Sequence, residues 1–270
     1  MDFGTAIGLI IGLGLILFGM FDYQSQTIPQ TFFSGQSIAI VLGGTLAATV
    51  VNYPVKQVLQ IFRVAWKAFG KRVIVDPAEI IEQLVDFGRR AKKGGIVSLE
   101  NNLPQIKNHY MRIGLGHAML VRDSKKLELF LDSELDSMIK RHQRGQEMFY
   151  NMGTYAPAFG LLGTVMGLIL MMTQQAQQST VASYASQMQD SMGQLLHGMG
   201  IALVTTFYGV LLANLIFIPI AGKLKALSDD EVHMNEIIKA GILSIHAKEN
   251  HFLIKEKLMT YLEKELRTED

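Results

Sequence analysis

Four long apolar runs alternate with polar segments along the chain. The runs cover residues 3–21, 32–51, 150–172 and 196–222, and none of them contains Asp, Glu, Lys or Arg. Each approaches the roughly 20 apolar residues that a helix needs to cross a bilayer. A charge at the bilayer centre costs about 2.5 to 3.5 kcal/mol on insertion scales, so uncharged runs favour membrane spans over the buried helices of a soluble bundle. The pattern predicts an all-α integral membrane protein with four transmembrane helices and a large helical cytoplasmic domain between the second and third.

The basic residues are confined to two parts of the chain. Of the 25 Lys and Arg residues, seventeen lie between residues 52 and 147 and eight follow Gly222. Because basic residues stay on the cytoplasmic side, both termini are predicted to be cytoplasmic, with segments 22–31 and 173–195 outside. The first apolar run has no basic segment before it and no small-residue cleavage site, which favours a retained span over a signal peptide.

The runs and the charges together predict four domains. These are 1–52 with transmembrane helices 1 and 2, 53–149 as a cytoplasmic helical domain, 150–222 with transmembrane helices 3 and 4 and a short external loop, and 223–270 as cytoplasmic C-terminal helices.

Helix signals fill the predicted cytoplasmic domain. Asp76, Pro77 and Glu79 supply an N-cap, a proline at the first helical position and an acid three residues after the cap. A later apolar stripe runs through residues 127–139, with charges on the other face. Since no proline follows before Pro157, we expect one continuous helix from about Ser124 through the third span.

Glycine and threonine are concentrated in the last two apolar runs. Small residues let transmembrane helices approach closely, so a helix-packing role is expected for three glycines of the third span, Gly160, Gly163 and Gly167. A threonine in a span often bonds back to the carbonyl one turn earlier. The alternative is an oxygen-lined path for a cation. Both interpretations stay open for Thr164, Thr205 and Thr206.

All 24 acidic residues lie outside the four apolar runs. Paths for protons and cations usually use an Asp or Glu near the bilayer centre. Either the chain moves no ions, or a partner subunit inserts the acid against the small-residue face. There is no cysteine, and no catalytic triad pattern, metal-ligand spacing or phosphate loop, so neither an enzyme, a cofactor nor a nucleic-acid partner is expected.

Three stretches resemble signatures of a known family. The sequence APAFGLLGTVMGLI at 156–169 resembles the third span of the MotA/PomA proteins, the A subunits of flagellar stators. GMGIALVTTFYGVLLANLIFIPIAGKL at 198–224 resembles their fourth span, and KKGGIVSLE at 92–100 resembles their cytoplasmic torque segment. Either span signature alone also fits the wider ExbB/TolQ group, but that group has three spans and lacks a pair like residues 3–51.

The resemblance implies a multi-pass protein of the bacterial inner membrane that couples cation flow to flagellar rotation. Such A subunits form a ring, thought to be five copies, around a dimer of a MotB/PomB-like B subunit that supplies the intramembrane Asp. The third-span glycines would then face the B helices and neighbouring copies. Sodium is favoured over a proton, because Thr164 matches the pattern of sodium-type members. The alternative functions are an ExbB/TolQ-like energiser of a non-flagellar envelope process and a scaffold without ion flow.

The resemblance also implies roles for prolines and for charged residues. Pro157 and Pro219 match prolines tied to conformational coupling, although a static kink is an equal alternative. In the torque segment, a basic residue and an acid eight positions apart face complementary charges on the rotor switch protein. The matching and neighbouring residues here are Arg89, Arg90, Lys92, Lys93 and Glu100. Lys stands where many members have Arg, and Asn101 where some have a second acid.

Overall fold

The computed structural model describes residues 3–24, 26–68, 76–178 and 184–262, and these residues are almost entirely helical. No strand occurs among them; the nearest approach is an isolated bridge between Asp22 and Thr27. The predicted all-α class is therefore confirmed. In chain order the helices are α1 (Phe3–Met20), α2 (Gly35–Ile38), a π-helix (Ala39–Gly43), α3 (Gly44–Asn52), α4 (Val55–Ala68), α5 (Pro77–Gly94), α6 (His109–Leu120), α7 (Ser124–Gln178), α8 (Tyr184–Leu211), a second π-helix (Leu212–Phe217), α9 (Ile218–His246) and α10 (His251–Met259).

Among the described residues, three helical stretches are long and apolar enough to cross a membrane. They are Gln30–Asn52, Ser124–Thr173 and Gly198–His246, and they contain the second and third predicted spans and all but the first two residues of the fourth. Helix α1 is 18 residues long and carries no charge, but its described apolar part, Ile7–Met20, is shorter than these. The span count of four, the domain boundaries and the placement of the polar residues in the cytoplasm stay predictions.

Helix α7 runs without a break from Ser124 to Gln178, a length of 55 residues. This confirms the prediction of one continuous helix from about Ser124 through the third span. The apolar stripe at its start and the glycine-rich segment after Pro157 therefore belong to one element. Pro157 lies inside this helix and does not end it.

The chain divides into two compact units. The first contains Met1–Arg72 and Arg144–Leu224, and the second contains Val73–Gln143 and Lys225–Asp270. In the first unit, helix α7 contributes Met148, Phe149 and Met152, each of which is completely buried. These side chains pack with buried residues of the preceding helices and of the α8–α9 segment, namely Val41, Val58, Ala65, Ala213, Phe217 and Ala221.

The second unit has its own aliphatic core. Helix α5 begins as predicted, since the Asp76 carboxylate accepts a hydrogen bond from the Ala78 amide at 2.9 Å. Helix α6 is capped in the same way by Asn108. The α5 side chains then pack on those of α6, α7 and α9, and the fully buried ones include Leu84, Met111, Leu115, Leu127, Ile237 and Ile242.

Two polar contacts fasten the start of α7 within the second unit. The Tyr110 hydroxyl donates to the Leu131 carbonyl at 3.0 Å, and Lys239 of α9 pairs with Asp132 at 2.5 Å. Burial, reinforced by the nearby carboxylates of Asp132 and Glu134, raises the pKa of Tyr110 far above its usual range. The phenol therefore keeps its proton and its hydrogen bond at any physiological pH.

Candidate ion path and charged segment

The glycines of the third span lie directly against helix α8 of the same chain. A Cβ atom on Gly160 would lie 3.0 Å from the Thr205 carbonyl oxygen, and one on Gly167 would lie 3.1 Å from that of Gly198. From the other side, a Cβ atom on Gly209 would lie 2.7 Å from the Ala156 carbonyl oxygen. The two backbones therefore touch, as small residues permit between transmembrane helices.

This contact corrects one expectation drawn from the sequence. The third-span glycines were expected to face the B helices and neighbouring copies, with room for a partner helix against them. Instead, the side of α7 on which a Cβ atom would project is filled by the chain's own α8, including the Thr205 side chain at Gly163. The sequence could not decide this, because a stripe of small residues suits any close-packed helix equally well.

Thr164 of α7 and Thr206 of α8 meet across the same contact. Their hydroxyl oxygens lie within hydrogen-bond distance of each other. The Thr164 hydroxyl also lies 3.1 Å from the Gly160 carbonyl oxygen and 3.1 Å from that of Ala202. Thr206 approaches the Gly160 carbonyl oxygen at 3.4 Å. The bond from Thr164 to Gly160 is the back-bond common in spans, and the other contacts cross between helices.

The oxygen atoms of this cluster outnumber its hydroxyl hydrogens. Each hydroxyl has one hydrogen to donate and two lone pairs to accept with. Thr164 faces three oxygen acceptors, so it can serve only one of them at a time. The result is a group of two hydroxyl and two carbonyl oxygens that lie together at one place between apolar helices. Such oxygens are the ligands that hard cations take.

Thr205 joins this cluster only through a shared carbonyl. Its side chain is fully buried, and its hydroxyl bonds the Ile201 and Ala202 carbonyls of its own helix at 2.9 and 2.8 Å. The Ala202 carbonyl thus accepts from both Thr205 and Thr164. For Thr205 the geometry favours the back-bonding interpretation, while the hydroxyls of Thr164 and Thr206 meet across the contact between α7 and α8.

Pro157 and Pro219 lie at different kinds of helix irregularity. Pro157 leaves the Gly153 carbonyl without its usual donor, and its Cα is 3.1 Å from where a Cβ atom on Gly209 would lie. Pro219 is the second residue of α9 and lies two positions after the end of the π-helix Leu212–Phe217. Single π-turns inside α-helices often occur at functional sites. The sequence did not predict this wide turn, although a proline that cannot donate to Leu215 is a reason for an altered pattern there.

Two asparagine–tyrosine pairs join the end of α3 to α7. The Asn52 side chain donates to the Tyr155 hydroxyl at 3.1 Å, and that of Asn151 donates to the Tyr53 hydroxyl at 2.7 Å. Burial raises the pKa of Tyr53, so its hydroxyl remains neutral and able to accept. No local pattern in the sequence indicates this cluster, because the partners are about one hundred residues apart.

The charged segment of the second unit changes direction at a glycine. Helix α5 ends with Lys92 and Lys93 in its last turn, and Gly95 follows with φ +79°, a conformation that glycine adopts most readily. The Ser98 hydroxyl bonds the Gly95 carbonyl at 2.6 Å, and Leu99 is 1% exposed and anchors the following 3₁₀ turns. Glu100 therefore lies exposed in a fixed 3₁₀ helix, Ile96–Gln105.

The charges of this segment are exposed, and most of them face solvent. Arg90 pairs with Asp86 one turn earlier in α5 at 2.7 Å. Within the described part of the chain, no ion pair is formed by Arg89, Lys92, Lys93 or Glu100. Exposed charges at the end of α5 and in the 3₁₀ helix that follows can meet charges of opposite sign on a partner surface.

No metal-binding group emerges from the described residues. No set of three or more His, Cys, Asp or Glu side chains among them comes close enough together to hold an ion. Two candidate functional features are therefore left. The first unit has an oxygen-rich contact between apolar helices, and the second unit has an exposed charged segment. Together with the fold they define an all-helical membrane protein.

Comparison with known proteins gives the family. Residues 102–237 match the MotA/TolQ/ExbB proton channel family. Motility protein A of Treponema phagedenis is 32% identical over 262 residues, which cover 97% of this chain and 94% of that protein. Chemotaxis protein PomA of Vibrio alginolyticus is 29% identical over 262 residues, covering 97% and 96% respectively. A chain of the flagellar MotAB stator complex from Bacillus subtilis superposes with a TM-score of 0.80 at 26% identity, with 97% and 96% of the two chains covered. The chain belongs to the MotA/TolQ/ExbB proton channel family.

Proposed function

We infer that this chain is the ion-channel subunit of a flagellar stator and works with a B subunit that carries an intramembrane Asp. The observation that carries the inference is the oxygen-rich contact of Thr164 and Thr206 in apolar runs that contain no acid at all. A path for cations built on such a contact needs a carboxylate from a partner. Similarity over nearly the full length to motility proteins A, and to a chain of a MotAB complex, supports this partner.

The transported ion is the cargo, and we propose sodium rather than a proton. A proton needs only the partner's carboxylate, whereas a dehydrated sodium ion needs several oxygens. Thr164, Thr206 and the carbonyls of Gly160 and Ala202 place four such oxygens together. Pro157 and Pro219 are proposed to let the surrounding helices change shape as the ion passes.

We further propose where the subunit lies and how it assembles. The chain lies in the bacterial inner membrane with both termini in the cytoplasm, which the distribution of Lys and Arg supports. Five copies form a ring around two B subunits. The ring turns against the rotor switch protein through the charged segment, in which the exposed Lys92 and Glu100 are the candidates.

The stoichiometry of the complex provides a test. Purified together with its B partner, the full chain is expected to form one assembly with more A copies than B copies. The physical reason is that the chain lacks the intramembrane acid and must surround a helix that brings it. Native mass spectrometry of the detergent-solubilised complex measures the ratio. A stable monomer of this chain or a one-to-one complex would contradict the proposal.

Charge reversal in the charged segment tests the contact with the rotor. Lys92→Glu and Glu100→Lys are each expected to reduce swimming in soft agar at least severalfold, because each replaces an attraction by a repulsion at the partner surface. Membrane insertion and assembly should be unchanged, since both side chains are exposed.

The matched control for that experiment is Lys107→Glu. Lys107 is also exposed, it lies in the same unit, and it is outside the charged segment. This variant should swim normally. A compensating charge reversal on the rotor protein should partly restore swimming to the Lys92→Glu variant. Normal swimming by both charged-segment variants, singly and combined, would remove the segment from the mechanism.

A further inference from the structure

Helix α4 exposes an apolar strip that the described residues of the first unit leave more than half uncovered. On one side, Val58 and Ala65 are buried in the core of that unit, at 6% and 4% exposure. On another side, Val55 and Leu59 are 53% and 62% exposed. These two residues are four apart, so they lie next to each other on one face of the helix.

The same helix carries cations beside that strip and no acid. Its sequence is VKQVLQIFRVAWKA, and Lys56 and Arg63 are both exposed. Seven residues apart, they lie on one face, and that face adjoins the strip of Val55 and Leu59. In the described ranges of the chain, neither cation forms an ion pair.

The position of α4 limits what can cover this face. Only Tyr53 and Pro54 separate it from α3, which ends at Asn52 together with an apolar stretch long enough to cross a membrane. The Pro54 carbonyl accepts from the Gln57 and Val58 amides, so the new helix begins at once. An amphipathic helix that starts where a span ends lies at the level of the lipid headgroups.

We propose that α4 is an anchor for anionic phospholipid, which it binds by its exposed face. Lys56 and Arg63 bind the phosphate-bearing headgroups, while Val55 and Leu59 insert among the upper parts of the acyl chains. Exposed apolar side chains with adjacent cations are the pattern of helices that lie in an anionic membrane surface. The inference requires only that the chain is inserted in a membrane, so it holds or fails independently of the stator function.

The chain contains a natural reporter for the test. Its single tryptophan, Trp66, belongs to α4. The full chain is reconstituted in bilayers that contain equal fractions of phosphatidylcholine and phosphatidylglycerol, and only one of the two lipids carries brominated acyl chains. Bromine quenches tryptophan fluorescence on contact. The ratio of the quenching in the two samples therefore gives the relative binding constant of the two lipids at this helix.

Brominated phosphatidylglycerol is expected to quench more strongly than brominated phosphatidylcholine. Lys56→Gln and Arg63→Gln should each reduce that preference, by about fivefold at most for one charge. The charge-conserving pair Lys56→Arg and Arg63→Lys should retain it. Equal quenching by the two lipids in the unaltered chain, or no quenching by either, would overturn the proposal.

A second comparison decides whether lipid or another copy of the chain covers this face. Leu59→Gln should weaken quenching by both lipids. Val64→Gln is the matched control, because Val64 is similarly exposed, at 57%, and lies about 140° around the helix from Leu59. Native mass spectrometry of both variants is the second readout. If Leu59→Gln changed the number of copies in the assembly and left lipid quenching intact, the face would be a protein interface and the proposal would be wrong.

Discussion

Gly209→Ala is expected to abolish motility and to destabilise the first unit by about 1 to 3 kcal/mol, the scale for overfilling a packed interior. The new methyl group would lie 2.7 Å from the Ala156 carbonyl oxygen and 3.1 Å from the Cα atoms of both Gly160 and Pro157. All three are backbone atoms, so no side chain can rotate away and α7 must separate from α8. Separation of these helices would also pull Thr164 from Thr206.

The control for this substitution is Gly222→Ala. A Cβ atom on Gly222 meets nothing within 4 Å, and alanine is the better helix former by about 1 kcal/mol. Thermal unfolding of the two purified variants in the same detergent, together with swimming in soft agar, makes the comparison. If Gly209→Ala matched Gly222→Ala in both measurements, close contact between α7 and α8 would not be needed.

Thr164→Ala is expected to weaken the response of the motor to sodium by roughly 5- to 150-fold, which corresponds to about 1 to 3 kcal/mol for an unmet polar partner. The change removes the hydroxyl that lies among Thr206, the Gly160 carbonyl and the Ala202 carbonyl. Rotation should fall steeply at limiting sodium and recover partly at high sodium. Thr164→Ser keeps the hydroxyl and should retain more function.

Thr205→Ala is the control for the loss of a threonine at this contact. This substitution removes the same side-chain atoms as Thr164→Ala, at the position next to Thr206. The Thr205 hydroxyl, however, bonds only carbonyls of its own helix. Its effect should appear in stability and not in the sodium concentration for half-maximal speed. The speed of tethered cells at fixed membrane potential is the measurement. A rotation speed that does not depend on the sodium concentration and follows only the proton gradient would refute the sodium assignment. The stator proposal would still hold.

Local signals in the sequence predicted the elements of the fold well. The cap at Asp76, the apolar stripe before Ile139 and the lack of proline before Pro157 are properties of neighbouring residues, and they correctly indicated α5 and the 55-residue helix α7. A helix is defined by contacts three and four residues apart, so a single sequence contains most of what determines it.

Contacts between distant residues could not be predicted in the same way. The spacing of Gly160, Gly163 and Gly167 predicted close helix packing but not that α8 would be the neighbour. The partners in the asparagine–tyrosine pairs are separated by 98 and 103 residues, so no local pattern connects them. The ion path was anticipated as three threonines, and only the structure distinguishes Thr205 from the pair formed by Thr164 and Thr206.

The central claim is that this chain converts ion flow into rotation with an acid supplied by its partner. The most direct measurement is the rotation of beads attached to flagella in cells that lack other stators and express this chain with its B partner. Rotation is predicted with the partner's intramembrane Asp intact, and none when that Asp is replaced by Asn, although the complex still assembles. Rotation that survives the replacement, or no rotation from a correctly assembled unaltered complex, would contradict the account.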